Sequence, residues 1–200
     1  MDMQPEQVRS FLKSHRRVEI NTPGLVHAGV LILLFPRDGV PHVLLTKRTS
    51  DVEHHKGQIS FPGGSVDDND RDITGTALRE AEEEIGLPQS HVEVLGLFDD
   101  FWTPSGFRIT PVIGFLPVLP ALKRNTDEVE EIFEVPVPFF LDGTNERMKK
   151  LVREGKEFQV YFYTHGRNEI WGATAGMLRS FLRAFRAYLE SFPRAEEAQQ

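Results

Sequence analysis

The sequence predicts an α/β protein, a mixed sheet with helices on both sides, and three observations carry that prediction. Val26 to Phe35 is a nearly continuous apolar run, the signature of a strand buried on both faces. Shorter strand-like runs recur at Val43–Thr46, Val92–Phe98, Phe107–Leu116 and Phe158–Tyr163. Between and after them lie a central and a terminal helical pattern. Strands interleaved with helices in this way fit an α/β/α sandwich.

In chain order, Gln4 to Ser14 reads as a short amphipathic helix, with Val8, Phe11 and Leu12 at helical spacing. Lys13, His15, Arg16 and Arg17 follow it, either as a solvated basic end or as an anion contact. Thr22-Pro23-Gly24 marks a boundary before the first strand. Arg37-Asp38-Gly39 is a turn signal, so Val43–Thr46 returns as a hairpin partner ending in Lys47 and Arg48.

The central helix starts near Thr74 or Thr76, either of which can cap it, and stops at Gly86 with Pro88 behind. Ala77, Leu78, Ala81 and Ile85 supply its packing positions. Val92–Phe98 alternates as a strand, and the loop Asp99–Gly106 holds Phe101, Trp102 and Pro104, read mainly as a hydrophobic plug. Pro111 in the next strand suggests an edge or a bulge. Asn125 to Glu134 reads as an acidic surface turn, and Phe139-Phe140-Leu141 as a short segment packing on the sheet. Phe158–Tyr163 pairs with Glu169–Trp171 around Gly166-Arg167-Asn168. From Ala173 to Ser191, Met177, Leu178, Phe181, Leu182, Phe185 and Leu189 form one apolar stripe. That stripe is read as core rather than as a homodimer surface.

A chain of 200 residues suits one domain with a sizeable core. The expected division is an N-terminal helix and arm over 1–25, a core over 26–172, a C-terminal helix over 173–192 and a frayed tail over 193–200. The net charge of −7 argues against a general nucleic-acid binder. With no cysteine, disulfides, thiolate chemistry and cysteine-ligated zinc are excluded. No signal peptide and no membrane-length apolar run is seen, so a cytoplasmic protein without a membrane partner is expected.

The chemistry concentrates in the central helix. Glu80, Glu83 and Glu84 have the spacing that puts side chains on one helical face, whereas Glu82 falls outside that cluster. Clustered carboxylates repel unless something positive sits among them. Arg79 can hold Glu83 at i+4, and a divalent cation can balance the rest. Oxygen-only ligands favour Mg²⁺ or Mn²⁺.

Phe61-Pro62-Gly63-Gly64, a gap, then Arg79-Glu80-Ala81-Glu82-Glu83-Glu84-Ile85-Gly86-Leu87 resembles the Nudix hydrolase family. The family box is Gly-x5-Glu-x7-Arg-Glu-hydrophobic-x-Glu-Glu-x-Gly-hydrophobic, and Arg79, Glu80, Ala81, Glu83, Glu84, Gly86 and Leu87 match its second half. The first half departs: the acid is Asp70, and eight residues rather than seven separate it from Arg79. In this departure the chain is similar to the branch that cleaves coenzyme A. Leu44-Leu45-Thr46-Lys47-Arg48, His55-Lys56-Gly57-Gln58-Ile59-Ser60-Phe61-Pro62-Gly63-Gly64, Asp67 and Asp70 follow its extended motif. Thr110-Pro111-Val112 and Trp171-Gly172-Ala173-Thr174-Ala175 also look like that branch, whereas Val52-Glu53 stands where it often has Leu-Arg.

The resemblance implies a Nudix-type α/β/α sandwich and metal-dependent hydrolysis of a nucleoside diphosphate small molecule. It implies Glu80, Glu83 and Glu84 as ligands of Mg²⁺ or Mn²⁺. Glu80 or Glu128 would take the proton, and Glu83 would serve both binding and catalysis. Arg48, His55, Gln58, Gly63 and Gly64 would face the substrate, with His54 left out because adjacent side chains diverge. For coenzyme A the products would be 3′,5′-ADP and 4′-phosphopantetheine. The alternatives are another nucleoside diphosphate substrate, such as ADP-ribose, NADH or a nucleoside triphosphate, and a Nudix-fold binding module without catalysis.

Overall fold

The computed structural model describes residues 3–49, 57–153 and 155–192. Helix α1 (Pro5–Ser14) leads through an extended arm into strand β1 (Val26–Arg37). Asp38 and Gly39, both with positive φ, turn the chain into β2 (Val40–Arg48), an arrangement matched to the twist of a hairpin. Strands β3 (Ile59–Ser60) and β4 (Gly63–Ser65) precede helix α2 (Ile73–Ile85). Then come β5 (Glu93–Leu97), β6 (Phe101–Trp102), β7 (Phe107–Phe115), β8 (Val129–Pro136) and the short α3 (Val137–Leu141). The remaining elements are β9 (Glu146–Arg153), β10 (Lys156–His165), β11 (Asn168–Trp171) and α4 (Gly172–Glu190).

The main sheet is mixed: β1 runs parallel to β7 and antiparallel to β2, and β2 pairs antiparallel with β8. The β1–β2 hairpin is zipped only over Leu34–Arg37 and Val40–Val43. Beyond that the two strands splay, and the chain from Ile59 to Ser65 fills the wedge. β3 pairs with Thr46–Lys47 of β2, and β4 pairs with Ala28–Val30 of β1. This wedge positions the candidate site.

The apolar run of β1 is explained by two cores. Val30, Ile32 and Leu34 face α1 and α4, while Leu31, Leu33 and Phe35 face Ala77, Ala81 and Ile85 of α2. Phe11 packs against Phe181 and Phe185, so the stripe of α4 is internal. A second sheet of β9, β10 and β11 presents the buried Tyr163 and Ile170 to that same core.

Four expectations are corrected. The cap of α2 is Asp72, whose carboxylate accepts from Gly75 N–H at 2.9 Å, not Thr74 or Thr76. Thr76 instead donates to Asp70 at 2.8 Å. Pro111 lies in an interior strand, opposite the break between β5 and β6, so its missing N–H leaves no ladder bond unmade. Much of the acidic stretch Asn125–Glu134 is strand β8. Its acids are answered by bases from elsewhere in the chain: Glu130 by Lys47 of the paired β2 at 2.7 Å, Glu131 by Arg167 in the β10–β11 turn at 3.1 Å, and Glu134 by Arg37 at the end of β1. The basic arm after α1 is neither solvated nor an anion contact at its key positions. His15 meets Asp99 at 2.8 Å, and Arg17 meets the buried Asp100 at 2.7 Å. The polar strand β9 lacked the apolar alternation that would have announced it.

Candidate active site

Helix α2 lies across the wedge and comes closest to the strands at two glycines, Gly29 of β1 and Gly64 of β4. A Cβ on Gly29 would come within 2.8 Å of the Ile73 carbonyl, so only glycine lets the helix sit this close to β1. A Cβ on Gly64 would fall 2.4 Å from Glu80 Oε1. The glycines therefore act through closeness: Gly64 makes room for the Glu80 carboxylate, and a Cβ on Gly63 would fall 2.4 Å from the Gly29 carbonyl, so the two strands can lie this close only with glycine there.

Arg79 organises one side of the site. Its Nε and Nη2 donate to the two oxygens of Asp70 at 2.8 and 3.0 Å. Its Nη1 donates to both Glu80 and Glu83 at 2.9 Å, and Nη2 reaches the Ser65 carbonyl at 3.3 Å. Asp70 is only 4 % exposed. The Arg79 guanidinium, with Thr76 and the Asp67 amide, holds its carboxyl well below the usual carboxylate range, so it is ionised. The longer loop thus delivers a carboxylate that orients Arg79. Arg79 in turn fixes two of the helix carboxylates.

The three box glutamates are not equivalent. Glu84 is 2 % exposed, and its Oε2 is buried without a hydrogen-bond partner among the described residues. The other oxygen, Oε1, has Arg48 Nη1 at 3.5 Å, a long and weak contact. Burial, with the Glu80 and Glu128 charges adding to it, pushes the Glu84 carboxyl up to about 8. Glu80 is half-buried, and its carboxyl is also raised, again chiefly by burial. Glu83 is 54 % exposed and turned to Arg79. As the side chains stand, no three carboxylates or histidines among the described residues form a closed metal cage. Glu82 faces solvent and accepts from Gln89, as expected.

Glu128 joins the cluster through the backbone. Asn125 N–H donates to the Glu84 carbonyl at 2.8 Å, and Lys123 N–H to the Ile85 carbonyl at 3.0 Å, so this segment satisfies the C-terminal end of α2. Thr49 N–H donates to the Glu128 carbonyl at 2.9 Å, tying the segment to the end of β2. Asn125 Nδ2 reaches Glu128 Oε1 at 3.3 Å. Asn125 is a positioning residue the sequence reading missed. Its Asx turn, with Asp127 N–H donating to Asn125 Oδ1 at 3.1 Å, was the available signal.

Of the basic pair at the end of β2, Lys47 is turned to Glu130 and Arg48 faces Glu84. Gln58 enters the frame through its carbonyl, which accepts from Arg48 N–H at 3.0 Å. Val52, Glu53, His54 and His55 lie outside the described residues. In the 99–106 loop, Phe101 is the plug, set against Gly176, whereas Trp102 is 39 % exposed and stacks on Phe158.

Glu80, Glu84 and Glu128 bring three carboxyl groups together beside one Arg48. A buried oxygen without a partner and an all-oxygen donor set fit a hard divalent cation such as Mg²⁺ or Mn²⁺.

Comparison with known proteins places this geometry. The NUDIX domain family matches residues 25–155. The chain is similar to the protein named "Uncharacterized Nudix hydrolase NudL" from Photorhabdus laumondii, with 40% identity over 152 residues, 76% of this chain and 81% of that one. The protein of the same name from Shigella boydii is 37% identical over 164 residues, 82% of this chain and 85% of its own. Among solved structures, the fold is similar to a C. elegans Ap4A hydrolase, with a TM-score of 0.54 at 15% identity, covering 84% of this chain and 100% of that one. It is equally similar to RenU, a Nudix hydrolase from M. smegmatis, with a TM-score of 0.54 at 21% identity, covering 86% of this chain and 91% of that one.

Proposed function

This chain belongs to the Nudix family of pyrophosphohydrolases, and from that premise we propose that it cleaves the diphosphate of coenzyme A or its derivatives. The products would be 3′,5′-ADP and 4′-phosphopantetheine, or the acylated form of the latter. The observation that carries the hydrolytic part is the buried, unpartnered Glu84 Oε2 beside Glu80 and Glu128. The substrate part rests on the extended motif and on how its pieces meet. Arg48 N–H donates to Gln58 at 3.0 Å, and Thr174 Oγ1 donates to the Ile59 carbonyl at 3.0 Å. Segments far apart in the chain therefore border the same wedge.

Glu80, Glu83 and Glu84 would hold Mg²⁺ or Mn²⁺, which when bound supplies Lewis acidity at the phosphates and a water of lowered pKa. Glu128 or Glu80, each set among other carboxylates, accepts the proton from the attacking water. Arg48 offers positive charge to a phosphate oxygen. Arg79 has its donors committed to Asp70, Glu80, Glu83 and Ser65, so it orients carboxylates rather than substrate. Gly63 and Gly64 shape the floor and Gln58 borders the substrate side, while His55, outside the described residues, is assigned a substrate contact by the motif alone. The partner is a small molecule and the setting cytoplasmic. Among the described residues no helix is long and apolar enough to cross a membrane.

The test is hydrolysis of coenzyme A with Mg²⁺ and with Mn²⁺, products read by mass, with ADP-ribose and NADH alongside. Appearance of 3′,5′-ADP and phosphopantetheine, with slower cleavage of the others, is the expected result. A second reading, another nucleoside diphosphate substrate, is favoured by Val52-Glu53. Intact coenzyme A beside a cleaved alternative would establish that reading instead.

A further inference from the structure

A second charged concavity lies between α3 and α4, built from different residues. It has a volume of about 250 Å³ and is lined by Phe140, Leu141, Glu146, Leu182 and three arginines, Arg179, Arg183 and Arg186, with Gly143 at its rim. The arginines stand at i, i+4 and i+7 on α4, which brings them to one face. We propose that this cavity is an anion site that takes the phosphate group of a small phosphate monoester.

The charge balance gives the first reason. Among the described residues Glu146 is the single acid in the lining, against three guanidiniums. It is already shared: Arg179 Nε donates to it at 2.8 Å, Tyr163 OH at 2.8 Å, and Arg183 Nη2 lies 3.5 Å away. Arg186 has only a 3.9 Å approach to Glu190, which is not in the lining. Asp142, next to the rim, turns its carboxylate onto Thr144. An excess of two positive charges therefore remains in one small concavity of a chain whose net charge is −7. That residue matches a dianion.

Preorganisation is the second reason. The Arg179 guanidinium lies over the Tyr161 ring at 3.8 Å and is fixed by Glu146, so one fork is already held in place. Arg183 and Arg186 are about half-exposed and can close on a ligand. Guanidinium forks bind the oxygens of a phosphate bidentately, and the two-charge excess favours a phosphate dianion over a single carboxylate. Phe140, Leu141 and Leu182 add an apolar wall for the organic part of the ligand. None of these residues belongs to the candidate active site.

The test is a titration of the full, metal-free chain with inorganic phosphate and with adenosine 5′-phosphate at matched ionic strength, followed by NMR. The signals to watch are the Gly143 amide and the Arg179 Nε–H. Saturable shifts with Kd on the order of 1 mM are expected, weakened at least tenfold in the Arg183→Gln/Arg186→Gln double variant. The same shifts must survive in Glu84→Gln, and hydrolysis by the double variant must stay at the unmodified rate. Tighter binding of the nucleotide assigns the apolar wall to its organic part, and equal binding assigns the site to the phosphate group alone; both uphold the proposal. Shifts that never saturate, that persist unchanged in the double variant, or that vanish in Glu84→Gln would overturn it. Binding is read without turnover, so this outcome stands apart from that of the hydrolase reading.

Discussion

Gly64 and Glu80 are in such close approach that the space of a Cβ on the glycine is taken by the glutamate carboxylate, 2.4 Å from Oε1 and 2.7 Å from Oε2. The obstructed atoms are the far end of a flexible side chain, so Gly64→Ala is expected to fold normally while displacing Glu80. Mispositioning of that size lowers kcat by about 100-fold. Steady-state kinetics beside a thermal melt checks it. Gly29→Ala, which would meet the Ile73 carbonyl at 2.8 Å, should instead lower stability by about 1–3 kcal/mol.

Glu83→Gln should abolish turnover and leave the melting temperature nearly unchanged. Glu83 is 54 % exposed, and its partner is the neighbouring Arg79, so its structural contribution is within about 0.5 kcal/mol. Turnover equal to the unmodified chain would remove the metal-site assignment.

Glu84 makes stability depend on pH. Its carboxyl titrates at about 8 in the fold, against 4.5 ordinarily. Between those values the folded chain keeps a proton that the unfolded chain has released. Stability of the metal-free protein therefore falls as pH rises from about 4.5 to about 8, by up to about 3–5 kcal/mol from this group. Denaturant melts in the presence of a chelator should show that slope. Glu84→Gln should flatten it, and adding Mg²⁺ or Mn²⁺ should restore stability at high pH.

Asp70→Asn removes the charge that holds Arg79, which then loses its grip on Glu80 and Glu83. A loss of about 10- to 100-fold in kcat/KM or in metal affinity is expected. Because the folded Asp70 titrates below its usual value, its stabilisation is present above about pH 4 and is lost as pH falls further. Acid unfolding of Asp70→Asn should begin from a lower starting stability and with a shallower slope.

Local pattern made much of this legible. The run Val26–Phe35, the stop at Gly86, the pairing of Arg79 with Glu83 and the stripe on α4 are all short-range features, and each appears where the residues point. What was not legible had one local and one long-range cause. Asp72 was passed over for two threonines although it is a good cap. Strand β8 was hidden because its acids are neutralised by Lys47, Arg167 and Arg37, residues distant in sequence.

The sequence alone determined the helix with its three carboxylates and the apolar strands beside it, because helical spacing and buried apolar runs are written in neighbouring residues, and the box from Phe61 to Leu87 carried the resemblance to the family. Only the tertiary structure decided that Glu84 has one buried oxygen without a partner among the described residues, that Asp70 serves Arg79, and that Glu128 reaches the cluster through Asn125 and Thr49. Burial, charge coupling and hydrogen bonding arise between segments far apart in the chain, such as Thr49 and Glu128 or Ile59 and Thr174, and no local pattern records them.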